Sequence, residues 1–131
     1  NQIEYFGVLS TFYNSMYICT TASETTGINA VKKLIDETFT IPSFSVEKLC
    51  HDVGISHAHL LRLFKKEYGI TIVQYVIKKR IELACELLQI TDLSISAVGF
   101  SCGFSDEIHF MKTFKRVMKL SALGFRKKFK N

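Results

Sequence analysis

Two stretches of the chain repeat one pattern: residues 54–66 read GISHAHLLRLFKK and residues 103–116 read GFSDEIHFMKTFKR. One extra residue after the serine of the second stretch brings the two into register. The register continues beyond them, so that Thr71 aligns with Ser121 and Tyr75 aligns with Phe125. A repeat with a period of about 50 residues indicates that one supersecondary unit occurs twice.

Each copy is predicted to be a short helix, a turn that contains glycine and a second helix, which is the helix-turn-helix pattern. Gly54 and Gly103 stand at the turns, where a residue without a side chain lets the backbone reverse. Cys50 and Gly99 lie four residues earlier, and their small size lets the two helices approach. One such pattern is common among helical hairpins, whereas two copies in register are specific.

The spacing of apolar residues predicts helices throughout, so we expect an all-α fold. The first helix-turn-helix is predicted at about residues 45–68 and the second at about 94–118. Residues 71–90 predict a long linker helix of about 30 Å between them. Serines predict the starts of several helices by capping: Ser45, Ser56, Ser105 and Ser121. Phe110, Phe114 and Val117 are predicted to face the core.

The beginning of the chain differs from the rest in composition. Residues 3–19 predict an extra N-terminal amphipathic helix, and the small polar residues 20–27 predict a linker before a helix over 29–38. We therefore divide the chain into residues 1–28 and a domain at 29–131. The apolar stripe of 3–19 would be costly to leave in water, so we expect it to pack on the domain or to form a homodimer.

Charge is distributed unevenly along the chain, whose net charge is +5. Residues 1–55 contain three Lys/Arg and six Asp/Glu, whereas residues 56–131 contain fourteen Lys/Arg and six Asp/Glu. The basic part begins at the second helix of the first repeat, and it predicts an anionic polymer or surface as partner. No apolar run reaches the roughly 18 residues that a transmembrane helix needs.

The four cysteines predict neither a metal site nor a redox pair, because no two of them have CxxC-type spacing. We expect thiols in a reducing cytoplasm. His59 and His109 occupy matched positions, which we expect to be half-buried and to serve packing rather than metal binding. No nucleophile–base set or carboxylate pair predicts catalysis, so we expect no enzyme and no cofactor.

At this point the sequence resembles the C-terminal DNA-binding domain of the AraC/XylS family of bacterial transcription regulators, over about residues 29–129. The resemblance rests on these residues: Leu49, Gly54, Ser56, Leu60, Arg62, Phe64, Lys65, Gly69, Gln74, Tyr75, Arg80, Ala84, Leu87, Leu88, Ile95, Gly103, Phe104, Phe110, Phe114, Lys115 and Arg126. It implies seven helices, with the second helix of each unit in the major groove of double-stranded DNA. It also implies a cytoplasmic regulator, an activator that recruits RNA polymerase, whose sensor or effector domain is absent from this chain. Residues 1–28 would then be a remnant of that sensor or of a dimerisation region.

The second unit departs from the family pattern at three positions. Gly99 stands where alanine is usual, which should weaken its helix by roughly 1 kcal/mol. Lys119 and Ala122 stand where glycine and proline are usual. We therefore expect the second unit to be less rigid than the first.

The resemblance and the outward faces of the two recognition helices together predict the DNA contacts. We expect them at His57, Ala58, Leu61, Arg62, Lys65, Lys66, Glu107, Ile108, Met111, Lys112, Lys115 and Arg116. Arg62 is the expected base contact, because its fork can reach guanine O6 and N7 together; the alternative is a phosphate contact or a solvated side chain.

The other predicted contacts leave further alternatives open. Leu61 either meets a thymine methyl or is merely exposed. Lys112 contacts a base or a phosphate, and Ile108 and Met111 offer only van der Waals contact. Glu107 is better explained as a first-turn carboxylate than as a partner of cytosine. The first unit should therefore discriminate sequence more than the second.

Other function classes remain as alternatives at this stage. A helical module could use the same basic face to bind an acidic protein. An enzyme would need a catalytic set that the sequence does not present. A role at a membrane surface fits poorly, because the basic residues are spread over several short helices and not along one long face.

Overall fold

The computed structural model describes residues 24–130, and helix is the only regular secondary structure in that range. The helices, in chain order, are α1 (Glu24–Thr38), α2 (Val46–Val53), α3 (His57–Tyr68), α4 (Ile72–Ile90), α5 (Ile95–Ser101), α6 (Glu107–Met118) and α7 (Ala122–Phe129). The predicted all-α fold with two helix-turn-helix motifs is confirmed, the motifs being α2–α3 and α5–α6. The helix predicted at residues 3–19 lies outside the described residues.

The described chain divides into two compact units. The first unit contains residues 24–38 and 44–76, and the second contains residues 39–43 and 77–130. Helix α4 therefore begins in the first unit and continues in the second. A short segment between α1 and α2 also belongs to the second unit, so the chain enters that unit twice.

The core of the first unit is formed by α1, α2, α3 and the start of α4. Leu60 and Phe64, one turn apart on α3, are fully buried. Residues with this spacing lie on one face of a helix, which explains why the recognition helix has a defined inner side. The rest of the buried set is Ile28, Ala30, Val31, Ile35, Leu49, Cys50, Ile72, Tyr75 and Val76.

Two tyrosines attach α1 to the rest of the first unit. The hydroxyl of Tyr68 donates to Asn29 Oδ1 at 2.5 Å, and the hydroxyl of Tyr75 donates to Asp36 Oδ1 at 2.5 Å. The ammonium group of Lys32 lies 5.6 Å from the centroid of each ring. These polar contacts fix the position of α1 against the first motif.

The core of the second unit contains a series of four phenyl rings. The centroids of Phe104 and Phe110 lie 5.2 Å apart, those of Phe110 and Phe114 lie 5.9 Å apart, and those of Phe114 and Phe125 lie 5.6 Å apart. Tilted and edge-on rings at such distances add favourable quadrupole contacts to the burial of apolar area. The ring series holds α6 against α7 within this unit.

Three of the four predicted serine caps are confirmed. The side chains of Ser45, Ser56 and Ser121 accept from the backbone amides of Lys48, His59 and Gly124, respectively. The prediction for Ser105 is wrong, since Asp106 caps α6 and accepts from Ile108. The extra residue of the second repeat is thus itself a strong cap, and it displaces the serine.

Two further expectations need correction. Residues Glu24–Gly27 belong to α1 and not to a linker; burial of Ile28, Ala30 and Val31 on the same helix outweighs the roughly 1 kcal/mol that a helical glycine costs. Val117 is 40% exposed, because it lies in the last turn of α6, beyond the buried pair Phe110 and Phe114.

Candidate nucleic-acid interface

The two motifs present their second helices in equivalent settings. The ring of Phe64 lies 5.7 Å from that of Tyr75, and the ring of Phe114 lies 5.6 Å from that of Phe125. These are the same two repeat positions in each unit. The inner faces of α3 and α6 are therefore fixed in the same way, and their outer faces are equivalent surfaces.

The outer face of α3 carries the predicted contacts of the first unit. The helix begins at the Ser56 cap, and its inner face is defined by Leu60 and Phe64. The predicted contact residues are all exposed on the other side of the helix: His57, Ala58, Leu61, Arg62, Lys65 and Lys66. Three of these side chains are basic hydrogen-bond donors, which suits a polyanion.

Arg62 is held by a neighbour on its own helix. Its Nη2 lies 3.0 Å from Nδ1 of His59, one turn earlier. Residues three apart on a helix are side-chain neighbours, so the contact needs no distortion of the backbone. His59 is half-buried, as predicted. Sequence reasoning identified both residues but did not pair them, although the i, i+3 spacing is visible in the sequence.

The outer face of α6 carries the predicted contacts of the second unit, and it is more apolar. Ile108 is 62% exposed and Met111 is 46% exposed. Glu107 lies in the first turn, where the helix dipole favours a carboxylate. The predicted contact residues are again all exposed: Glu107, Ile108, Met111, Lys112, Lys115 and Arg116.

His109 differs from the prediction, because it is exposed. Its ring meets the ring of Phe104 edge-on, with centroids 5.5 Å apart. In the first unit the position of Phe104 is occupied by Ile55, which offers no ring. The two matched histidines therefore make different contacts, His109 with an aromatic ring and His59 with Arg62. Among residues 24–130, no His/Cys/Asp/Glu group suited to a metal ion occurs.

Arg80 is one of the residues on which the family resemblance rests, and its contacts in the structure lie within the second unit. Its Nε donates to the carbonyl of Phe39 at 2.7 Å, and its Nη2 donates to that of Ile41 at 3.3 Å. The guanidinium also lies 5.6 Å from the centroid of the Phe104 ring. Burial lowers the pKa of Arg80 from its usual value, although a guanidinium remains charged in proteins. Arg80 thus attaches the segment 39–43 to the second motif.

The basic residues at the end of the chain have mixed roles. The guanidinium of Arg126 donates to the carbonyls of Leu88, Thr91 and Leu93 and so closes the end of α4. Lys130 forms an ion pair with Asp92. Lys127 and Lys128 are exposed and remain available to phosphates.

The described cysteines are free thiols: Cys50, Cys85 and Cys102. Burial raises the pKa of Cys102 to about 12, with a smaller contribution from Cys85. A thiol with such a pKa is a poor nucleophile at neutral pH. The burial of Cys50 and Cys102 supports a packing role for these two thiols.

No helix within residues 24–130 is both long enough and apolar enough to cross a membrane. The geometry that the described chain presents is instead two equivalent helices with exposed faces that carry Lys and Arg. Such faces can donate hydrogen bonds to phosphates and to the base edges of a duplex.

Known proteins share this arrangement. A family profile described as a helix-turn-helix domain matches residues 49–128. The Msm operon regulatory protein of Streptococcus mutans is 32% identical over 104 residues, which cover 79% of this chain and 37% of that protein. The chain thus spans less than half the length of the first curated relatives that it matches.

Two solved structures extend the likeness to the fold. A transcriptional regulator from Chromobacterium violaceum, described as an AraC-type DNA-binding-domain protein, gives a TM-score of 0.69 at 28% identity, covering 79% of this chain and 92% of that one. The DNA-binding domain of AdpA, a global transcriptional factor in complex with a target DNA, gives a TM-score of 0.73 at 25% identity, covering 78% of this chain and 91% of that one.

Proposed function

The chain belongs to the family of helix-turn-helix domains of the AraC type, and from that premise we propose that it binds a specific duplex site through α3 and α6. The observation that carries the proposal is the pair of equivalent recognition helices, each with Lys or Arg exposed on its outer face. A similar domain in a solved structure is bound to its target DNA. The chain is a DNA-binding domain of a bacterial transcription regulator.

In this proposal α3 supplies most of the sequence discrimination. Arg62 donates to O6 and N7 of a guanine, a bidentate contact that favours one base pair by about 1–3 kcal/mol. Leu61 lies one residue away and can meet a thymine methyl. Lys65 and Lys66 neutralise phosphates and fix the orientation of the helix on the duplex.

Helix α6 mainly adds affinity. Lys112, Lys115 and Arg116 contact phosphates, while Ile108 and Met111 contribute van der Waals contact with base edges. Glu107 stabilises the start of its own helix. An apolar face has fewer hydrogen-bonding groups with which to distinguish bases, so α6 should tolerate more sequence variation than α3.

We further propose that the two recognition helices enter successive major grooves, which lie about 34 Å apart on one face of the duplex. Helix α4 has 19 residues, which corresponds to about 28 Å of helix. This length is comparable to the groove spacing. Both motifs would then contribute phosphate contacts to a single continuous site.

The regulator as a whole is proposed to be a cytoplasmic activator that works with RNA polymerase. Several relatives are operon regulators, and one is named an activator. These relatives are longer than this chain, so a sensor or effector domain is expected outside it. Self-association through residues 3–19, which lie outside the described part, stays a prediction.

Selection of binding sites from random duplex DNA tests the proposal. We expect one enriched motif at moderate salt, with a part read by α3 that is better defined than the part read by α6. If no motif is enriched, sequence-specific binding is refuted. Retained binding to an acidic protein without DNA binding would instead support a protein-interaction module.

Arg62→Ala then tests whether Arg62 is the residue that recognises a base. We expect a loss of about 1–3 kcal/mol in affinity for the selected site, concentrated at one base pair. Lys112→Ala is the matched control, since it removes the cation at the equivalent position of α6. It should weaken binding to all sequences alike and reduce the salt slope of log K by about 0.9. An equal loss on all sequences for Arg62→Ala would make Arg62 a phosphate contact.

A further inference from the structure

The contact between His59 and Arg62 suggests a role for a residue outside the predicted DNA contacts. We propose that His59 is a positioning residue, which fixes the guanidinium of Arg62 for base recognition without itself touching DNA. The proposal rests on the proposed function, because it presumes that Arg62 reads a base. It concerns how strongly the domain discriminates between base pairs at the position that Arg62 reads.

The direction of the hydrogen bond defines what His59 supplies. A guanidinium has only donors, so Nδ1 of His59 must be the acceptor in the 3.0 Å contact with Nη2 of Arg62. That contact uses one of five N–H groups. The remaining N–H groups are sufficient for a bidentate contact with guanine O6 and N7. The pairing therefore orients the guanidinium and leaves it able to recognise a base.

The position of His59 is itself fixed by the fold. Its backbone N–H donates to the Ser56 cap at 3.3 Å, and the next residue, Leu60, is fully buried. The backbone of His59 is therefore fixed by the cap before it and by the buried residue after it. The His59 side chain itself is half-buried. An acceptor placed in this way limits the rotamers open to Arg62 before DNA arrives.

Limiting those rotamers should strengthen binding to the correct base. A free arginine loses most of its rotamer freedom when it binds, and a side chain that is already ordered avoids part of this loss. Immobilising one such side chain corresponds to an effect of about 3- to 10-fold on affinity. The effect should appear mainly at the base pair that Arg62 reads, since a misplaced fork cannot make both bonds.

The second unit lacks this arrangement. His109 and Lys112 occupy the equivalent positions, but the His109 ring packs against Phe104. In the described part of the chain, no hydrogen bond joins His109 to Lys112. A histidine at this position therefore does not orient the next basic residue by default. The difference provides a control within the same protein.

The test uses the 131-residue chain and the duplex site obtained by random selection. Discrimination is measured as the Kd for the substituted base pair divided by the Kd for the preferred one, at the position that Arg62→Ala identifies. We expect His59→Leu to lower this ratio about 3- to 10-fold and to leave other positions unchanged. His59→Asn should restore it, because Oδ1, like Nδ1, is an acceptor bonded to Cγ.

Three further variants separate positioning from packing. His109→Leu should leave discrimination at the Arg62 position unchanged. In the Arg62→Ala background, His59→Leu should have no further effect on discrimination, because the group that it orients is gone. If His59→Leu lowers stability, His59→Ala removes the same acceptor with less apolar bulk, and urea unfolding shows which variant is folded.

The possible results distinguish the two proposals. If Arg62→Ala relaxes one base position but the folded variants without the acceptor, His59→Leu and His59→Ala, do not, the positioning role is overturned and base reading by Arg62 stands. If Arg62→Ala weakens all sequences equally, both are overturned. A uniform loss for His59→Leu that adds to the loss for Arg62→Ala would assign His59 to packing and likewise overturn its positioning role.

Discussion

The turn glycines of the two motifs meet the same conformational demand in different surroundings. Gly54 has φ 77° and Gly103 has φ 108°, both in a region that side chains rarely adopt. A Cβ added at Gly54 would meet no atom within 4 Å, whereas one at Gly103 would lie 2.5 Å from the carbonyl oxygen of Phe39. Glycine is thus required at the first turn by its backbone conformation alone, and at the second turn also by the atoms that surround it.

The surroundings of Gly103 come from Arg80 and the segment 39–43. The same added Cβ would lie 2.8 Å from Nε of Arg80, the atom that donates to the carbonyl of Phe39. The turn glycine of the second motif therefore lies against a polar contact between residues far apart in sequence, which the first turn glycine does not. The comparison teaches that the same repeated glycine can be required by backbone conformation alone in one copy and also by a remote segment in the other.

Gly103→Ala should produce the largest difference between the units. A positive φ costs alanine about 1–2 kcal/mol, and displacing the Arg80–Phe39 contact adds about 1–3 kcal/mol. We expect the free energy of unfolding to fall by about 2–5 kcal/mol in urea. Hydrogen exchange should locate the loss in the second unit.

Gly54→Ala is the matched control for that experiment. Alanine at this position would still adopt an unfavourable positive φ, but its Cβ would meet no neighbouring atom. The expected loss in the free energy of unfolding is therefore only about 1–2 kcal/mol. Equal losses for the two variants would contradict the proposed importance of Arg80 and the Phe39 carbonyl. A loss at Gly103 that Arg80→Ala reproduces would strengthen it.

The approach of the two helices also differs between the motifs. A Cβ at Gly99 would lie 2.7 Å from a ring carbon of Phe110, which is fully buried. In the first unit Cys50 is the equivalent of Gly99 and Leu60 is the equivalent of Phe110. Cysteine is larger than glycine, and leucine is smaller than phenylalanine. Gly99 is therefore not simply a weak helix former: its missing side chain makes room for a phenyl ring.

Gly99→Ala tests this exchange of volume and should have the next largest effect. Overpacking costs about 1–3 kcal/mol, and the gain of about 1 kcal/mol in helix propensity offsets part of it. The net loss in urea unfolding should be about 0–2 kcal/mol. Combined with Phe110→Leu, the same change should cost less than the two single losses together, with a coupling of about 1–2 kcal/mol. Strict additivity would refute the volume argument.

Much of this architecture was predictable from the sequence. The register between the repeats predicted both motifs, and the apolar spacing placed Phe110 and Phe114 in the core of the second unit. The twelve predicted contact residues are all exposed, because polar or exposed positions alternate with core positions on amphipathic helices. Surface placement follows from periodicity; which of these side chains touches DNA does not.

The features that sequence reasoning missed depend on tertiary contacts. The role of Arg80 requires the carbonyls of a segment about 40 residues earlier, and no local pattern indicates such a partner. His109 packs against the ring of Phe104, whereas the equivalent residue in the first unit, Ile55, has no ring for His59 to meet. The start of α1 was missed because a short polar stretch can be helical when the following residues are buried.

Lys119 offers the smallest and cleanest comparison between the units. It ends α6 with φ 62°, and among the described residues it is the one non-glycine residue with a positive φ. The equivalent residue in the first unit is Gly69, with φ 78° and open space around it. At a positive φ the Cβ of lysine lies too close to the backbone carbonyl oxygen, whereas glycine has no Cβ. The end of α6 is therefore strained relative to the end of α3.

Lys119→Gly should therefore raise the free energy of unfolding by about 0.5–1 kcal/mol. Relief of about 1–2 kcal/mol of steric cost is partly offset by the greater freedom of glycine in the unfolded chain. Urea unfolding with an unchanged m-value measures the gain, and Gly69→Lys should lose a similar amount. Lys119→Ala is the decisive control, because it removes the same positive charge and keeps a Cβ. If alanine stabilises as much as glycine does, the cause is relief of repulsion from Lys115 and Arg116, and the two helix ends do not differ in backbone strain.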